Sequence, residues 1–315
     1  MNHSPVALFV YNRPENTRQT LEALARNRMA TETQVYVFSD GGKDAKSWAE
    51  VTKVRQVVRQ FGQGCFEGLT LVERPTNWYL ERNIMEGIAQ VFRGHDRIIV
   101  LEDDIVTAPH FLEYMNQAFD LYRDVPNVMH VAGFTNLDLP DVPFYFTPHM
   151  SGWGWGTWRD RWQNHFRHFD SRSEALEGLT KADEDAMQYG GVFPCLNSLN
   201  RNPIPWDICW ELAIYRAHGL CLTPGRTLVQ NIGLNNGTHF RSWRVLQYYE
   251  FDRKPQDRLP ELYQVEYPCP TPELEAQFAR AIKDWGIRYT LLGRVIRFVY
   301  LLFRKGKIFS VFRLK

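Results

Sequence analysis

The chain has 315 residues, enough for one large α/β domain or two small ones, and its 44% apolar and 23% charged content is ordinary for a globular protein and not for a disordered one. A formal net charge of +1 argues against a general nucleic-acid binder. Five scattered cysteines (Cys65, Cys195, Cys209, Cys221 and Cys269) with no C-x-x-C argue against a disulfide framework or a zinc site.

The chain opens MNHSPVALFVYNRP, with no basic stretch followed by a long apolar one. Neither a signal peptide nor a membrane anchor is expected there, and a reducing, cytoplasmic compartment follows. Residues 5–11 (PVALFVY) read as a first strand and Asn12-Arg13-Pro14 as its turn, with a helix beginning at Asn16 or Thr17. A second strand at 35–38 ends in Ser39-Asp40-Gly41-Gly42, where the glycines permit a tight turn. A helix over 48–61, a strand over 69–72 and a helix over 80–92 follow, the last with Leu80, Ile84, Ile88 and Val91 at helical spacing. This β-α order predicts a mostly parallel sheet with right-handed crossovers.

The most telling stretch is residues 97–118, RIIVLEDDIVTAPHFLEYMNQA. Ile98, Ile99, Val100 and Leu101 suit a strand buried on both faces. It runs straight into Glu102, Asp103 and Asp104. Three carboxylates at the end of a buried strand repel one another and lose solvation, so they need a counter-charge. A divalent cation with oxygen ligands supplies it. Thr107 can cap the next helix, with Pro109 at an early helical position. In open α/β sheets the ligand sits at the carboxyl ends of the strands, where Asn12-Arg13 and Ser39-Asp40 would also lie.

Past residue 120 the regularity fades. Residues 128–132 form a candidate strand. Residues 151–162, SGWGWGTWRDRW, alternate Gly with Trp, which lets backbones approach while broad rings pack around them. PIPWDICW, residues 203–210, sets Asp207 between Trp206 and Trp210, as in a pocket wall, and a helix over 211–218 ends at Gly219. LVQNIG leads into a polar loop carrying His239. Residues 247–273 read as a Pro-rich, charged strap. From Ile287 onward apolar residues interleave with Arg and Lys, and no acid follows Asp284. Such a basic amphipathic helix lies on an anionic membrane surface, or docks on the core with a solvated basic face. Arginines inside the run argue against a spanning helix.

LEDDIVTAPHFLEY resembles the acidic motif of GT-A glycosyltransferases related to the Golgi N-acetylglucosaminyltransferase of glycosyltransferase family 13. The series VYNRP, FSDGG, LEDD, SGWGWGTWRDRW, PWDICW and LVQNIG…THF also resembles bacterial transferases with that nucleotide-diphospho-sugar fold, over roughly residues 5–242. The resemblance implies an α/β GT-A fold with a mostly parallel central sheet. Residues 1–120 would be the nucleotide-sugar half, 121–245 the acceptor half, and 246–315 a strap plus basic tail. It implies Mn²⁺ (or Mg²⁺) on Asp104, Asp103 at the ribose, Glu102 at a sugar hydroxyl, Arg13 near the phosphates and Asp40 near uracil. Asp207 matches the general base, although the Golgi relatives carry W-D-D-W where this chain has W-D-I-C-W. His239 matches a loop histidine that helps close the metal site, or else it is a structural histidine.

The residues support this chemistry on their own terms. One metal neutralises the diphosphate leaving group, and inversion then needs one base to deprotonate the acceptor hydroxyl. Asp207 is the candidate base, or else a cap of its helix. Arg13 is a donor ligand or a strand-end surface residue, and Asp40 a donor ligand or a turn residue. Arg82 could pair with the donor phosphates or be solvated. Trp153, Trp155 and Trp206 could face the acceptor or fill the core. The expected function is a metal-dependent, inverting transferase moving sugar from a UDP-sugar to a glycan or lipid-linked glycan acceptor in bacterial surface polysaccharide synthesis. It would work at the inner face of the membrane, the tail touching lipid. The alternatives are a sugar nucleotidyltransferase, for which VYNRPENT lacks a glycine-rich loop, and a carbohydrate-binding protein that lost activity.

Overall fold

The computed structural model describes residues 3–62, 64–191, 193–233 and 254–288. The first half of the chain alternates strands and helices as the sequence predicts: β1 (Val6–Val10), α1 (Pro14–Ala25), β2 (Gln34–Ser39), α2 (Ala45–Gln60), β3 (Gly68–Glu73), α3 (Tyr79–Val91) and β4 (Arg97–Glu102). These strands pair in parallel in the order β3-β2-β1-β4. Every residue of β1 is buried. Val6, Leu8 and Val10 face one core with Leu21 and Leu24 of α1 and Val54 and Val58 of α2. Ala7 and Phe9 face a second core with Ile84 and Ile88 of α3. Burial on both faces is why this run reads as continuously apolar.

Beyond β4 come β5 (Ile105–Thr107), α4 (Phe111–Leu121), β6 (Val128–Ala132), β7 (Phe144–Thr147) and β8 (Trp155–Trp158). Then follow α5 (Arg159–His165), α6 (Arg172–Ala175), α7 (Lys181–Met187), α8 (Trp206–Arg216), β9 (Leu220–Pro224), β10 (Val229–Asn231) and α9 (Pro272–Arg288). The main sheet has eight strands in the order β3-β2-β1-β4-β8-β6-β9-β7. β8 runs antiparallel between β4 and β6, and β7 antiparallel to β9, so the parallel expectation holds for the first half and the second half is mixed. Gly156 permits this close pairing: a Cβ there would strike Ile98 O and the Phe119 ring.

Thr107 does not cap the following helix. It ends β5, which pairs antiparallel with β10, and its hydroxyl accepts from Asn27 Nδ2 (2.9 Å). α4 starts two residues after Pro109, with His110 at its N-cap. Of the stretch read as a strap, residues 254–273 fall among those described, and several of them touch the body of the protein. Gln256 N donates to Thr227 O (2.9 Å), and Tyr122 Oη donates to Tyr263 O (2.7 Å). Leu259, Leu262 and Val265 pack on the core. The basic tail beyond Arg288 lies outside the described residues. Among the described residues no helix is long and apolar enough to cross a membrane.

Candidate active site

The carboxyl ends of β1, β2, β3 and β4 share one edge of the sheet, because all four strands run parallel. They deliver the segments beginning at Tyr11, Asp40, Arg74 and Glu102 to that edge.

At the acidic tip Arg13 is the organising cation. Its Nη1 donates to Asp104 Oδ2 (2.8 Å), its Nε to Asp103 Oδ2 (3.2 Å), and its Nη2 to Asp103 Oδ1. Arg13 is the N-cap residue of α1, ahead of Pro14, so its backbone is fixed by the helix. Burial opposes the guanidinium's charge, but Asp103 and Asp104 outweigh that and raise its pKa. The Glu102 side chain makes no hydrogen bond to the described residues, and burial, then the charges of Asp104 and Asp103, push it up to about 8. Burial also pushes Asp103 up to about 6, against the pull of Arg13. Three carboxylates thus face one guanidinium.

That surplus of negative charge fits a divalent cation. Asp104 Oδ1 accepts no hydrogen bond from the described residues, whereas Oδ2 is held by Arg13. Among the described residues no group of three His, Cys, Asp or Glu side chains could hold a metal by itself, and a diphosphate and water offer the kind of oxygen ligand such a cation takes. His239 lies outside the described residues. The segment leading to it covers the tip: Ile232 N donates to Asp104 O (2.8 Å), and a Cβ on Gly233 would collide with Asp104 Oδ2 and crowd Arg13 Nη1.

Asp40 is buried and spent on loop geometry. Oδ1 accepts from Gly41 N (2.9 Å) and Trp78 N (2.7 Å), and Oδ2 from Asn77 Nδ2 (2.9 Å). Burial raises its pKa, and those backbone donors pull it back. The neighbour that sequence reading missed is Arg74, directly after β3. It is buried beside Asp40, its Nε donates to Asn83 Oδ1 (3.0 Å), and its Nη2 has no partner among the described residues. A cation closing the apolar run LTLVE at the same edge as Asp40 was the available signal. Arg82 is exposed and stacks on Trp78, as Arg74 does, each 4.1 Å from the ring centroid. Arg82 is therefore placed on a loop aromatic and not at the acidic tip.

On the α3 side of the sheet, α8 brings Asp207 to the same edge. Asp207 is in the first turn of α8, open to solvent at the mouth of dense surroundings, and its Oδ1 accepts from Ile208 N (2.7 Å). Burial raises its pKa, the Ile208 N–H and Arg201 lower it, and Glu211 and Glu81 raise it further. Its charge also raises Glu102, which ties α8 to the tip. One turn along, Glu211 is buried, accepts Met150 N (2.8 Å) and pairs with His149 Nδ1 (2.5 Å). α8 is thus clamped to the loop that carries the Gly-Trp stretch.

The three tryptophans divide. Trp155 is fully buried, stacked between His130 (5.2 Å) and Trp206 (5.1 Å), so the expectation that it faces an acceptor is corrected: it is core. Trp206 is 4% exposed in that stack. Trp153 is half-buried, its ring edge-on to Phe134 (4.6 Å).

A family model described as glycosyltransferase-like family 2 matches residues 4–171. No curated protein matches the sequence. Among solved structures, Staphylococcus aureus TarS is 10% identical, with a TM-score of 0.42 over 77% of this chain and 42% of its own. TarS residues 1–349 are 12% identical, with a TM-score of 0.43 over 91% of this chain and 72% of that one. A UDP-glucose pyrophosphorylase complexed with UDP-glucose is 11% identical, with a TM-score of 0.36 over 71% of this chain and 91% of its own.

Proposed function

The chain belongs to glycosyltransferase-like family 2, whose model covers more than half of it, and from that premise we propose a metal-dependent, inverting transfer of sugar from a UDP-sugar to a hydroxyl of a glycan acceptor. The observation that carries the reading is the crowding of Glu102, Asp103 and Asp104 against a single guanidinium, within electrostatic reach of Asp207. The likeness to family 13 in the LEDD and Trp-rich stretches supports UDP as the nucleotide and N-acetylhexosamine or hexose as the sugar.

Asp104 would hold a divalent cation (Mn²⁺ or Mg²⁺), which when bound would supply Lewis-acid neutralisation of the diphosphate leaving group. The protein's residues do the rest. Arg13 and the buried Arg74 offer positive charge to the nucleotide from the ends of β1 and β3. Asp103 and Glu102 accept ribose and sugar hydroxyls, and Glu102 can donate when protonated. Asp207 Oδ2 takes the proton of the acceptor hydroxyl, since Oδ1 is held by Ile208 N. The raised pKa of Asp207 makes it a stronger base than an ordinary carboxylate. Trp153, in the Gly-Trp stretch clamped to α8, flanks the acceptor. The acceptor is a surface polysaccharide or lipid-linked glycan, and the basic tail holds the enzyme at the inner face of a bacterial membrane.

The test is UDP release from a panel of UDP-sugars with Mn²⁺ or with EDTA. One donor is expected to give metal-dependent release, abolished in Asp104→Ala. Asp207→Ala is expected to keep UDP binding and lose about 10²- to 10⁴-fold in transfer to acceptor. Failure to bind UDP in any condition would point to another nucleotide or to a binding protein.

A further inference from the structure

Arg13 occupies an unusual position for a donor ligand. All three of its guanidinium nitrogens point back at the acidic tip: Nε and Nη2 fork onto Asp103, and Nη1 bonds the same Asp104 that the glycosyltransferase reading gives to the divalent cation. The pairing is specific in shape, because a guanidinium fork matches a carboxylate and a point charge does not. It is also sheltered: the side chain of Asp103 is 4% exposed, that of Asp104 13% and that of Arg13 25%. Gly233 closes over Asp104 Oδ2 and Arg13 Nη1, with no room for even a methyl group.

Two cations on one carboxylate in so sheltered a site repel each other strongly. We propose that Arg13 holds the place of the divalent cation in the resting protein and releases Asp104 to it only when a diphosphate is present to receive the guanidinium. The backbone allows this. Arg13 O accepts from Thr17 N (3.0 Å) and Thr17 Oγ1 (2.9 Å), so α1 stays fixed while the long side chain changes partners. The Tyr11 backbone also favours the charged form of Asp103, so the move does not strip it of all support. The consequence is thermodynamic coupling. Metal and nucleotide bind as a unit, each tightening the other by the same factor. The inference rests on the metal-dependent reading but concerns Arg13, and binding alone tests it.

The experiment is titration of Mn²⁺, followed by the electron paramagnetic resonance of the free ion, into wild type, Arg13→Gln, Arg13→Lys and Asp104→Asn, with and without UDP. Wild type is expected to bind Mn²⁺ weakly alone and about 5- to 150-fold more tightly with UDP. Arg13→Gln, freed of the competing charge, is expected to bind Mn²⁺ alone about tenfold more tightly than wild type and to gain less from UDP. Arg13→Lys, which keeps the charge but loses the fork, falls between them, and it serves if Arg13→Gln does not fold. Mn²⁺ binding that Asp104→Asn abolishes while Arg13→Gln and Arg13→Lys leave it at the wild-type level overturns the exchange alone. No Mn²⁺ binding by any form, with or without UDP, overturns the metal-dependent reading and the exchange with it.

Discussion

Tyr79 opens α3 with φ at +61°, a region that L side chains other than Asn and Asp rarely visit. Its ring is 57% exposed and carries the ammonium of Lys43 4.5 Å from its centroid, so the ring itself gains about 0.5–1 kcal/mol there. The backbone strain is of order 1–2 kcal/mol. This reverses the usual helix ranking, in which Ala beats Gly by about 1 kcal/mol. Tyr79→Ala keeps the strain and loses the ring, whereas Tyr79→Gly loses the ring and relieves the strain. Urea unfolding is expected to rank Tyr79→Gly above Tyr79→Ala by about 1 kcal/mol. The ordinary order, Ala above Gly, would mean that the residue is not held left-handed in solution.

Elements differ in how plainly the sequence announced them. β1, β4 and α3 were legible because burial on two faces or one leaves a pattern within five to thirteen residues. β8 was not, since WGTW is a four-residue strand whose identity depends on partners β4 and β6 far away in sequence. The β5–β10 pair, with three residues in each strand, was equally hidden, and that pair brings Gly233 over Asp104. At the site the acidic triplet and Asp207 were legible as residue types. The Arg13 fork on Asp103 and Asp104 spans some ninety residues, which no local pattern encodes. The same limit hid the clamp between α8 and the loop after β7, made by Glu211 and His149. Glu211→Ala would leave His149 and the Met150 N–H buried without their partner, at a cost of about 3–5 kcal/mol. Glu211→Gln keeps an acceptor for Met150 N and is expected to cost about 1 kcal/mol. Thermal unfolding of the two variants checks this, and equal losses would mean that the carboxylate's charge, not its hydrogen bonding, holds the clamp.

For the whole molecule, the acid limit of stability follows from groups folded in an uncharged form. His130 is the clearest. It is fully buried in β6, stacked on Trp155, and accepts from Trp210 Nε1 at Nδ1 (3.2 Å). Burial lowers its pKa to about 3, with a smaller opposing pull from the Ser151 backbone. An unfolded histidine titrates near 6.5. Between about pH 6.5 and pH 3 the unfolded chain therefore binds a proton that the folded chain refuses. Stability is full above that window and falls with falling pH by about 1.4 kcal/mol per unit from this site. Glu102 works in the opposite sense. Its folded pKa of about 8 lies above its ordinary value of 4.5, so its contribution is fully present below that value and lost as pH rises toward 8. The two slopes oppose each other where their windows overlap, so total stability alone does not isolate His130. His130→Asn does, because it keeps an oxygen for Trp210 Nε1 and cannot titrate. Denaturant unfolding of both proteins between pH 7 and pH 4 is expected to show wild type losing stability relative to His130→Asn by about 1.4 kcal/mol per unit below pH 6.5. A difference that stays constant across that range would mean that His130 takes up its proton within the fold, with the β6 and α8 packing opening to admit it.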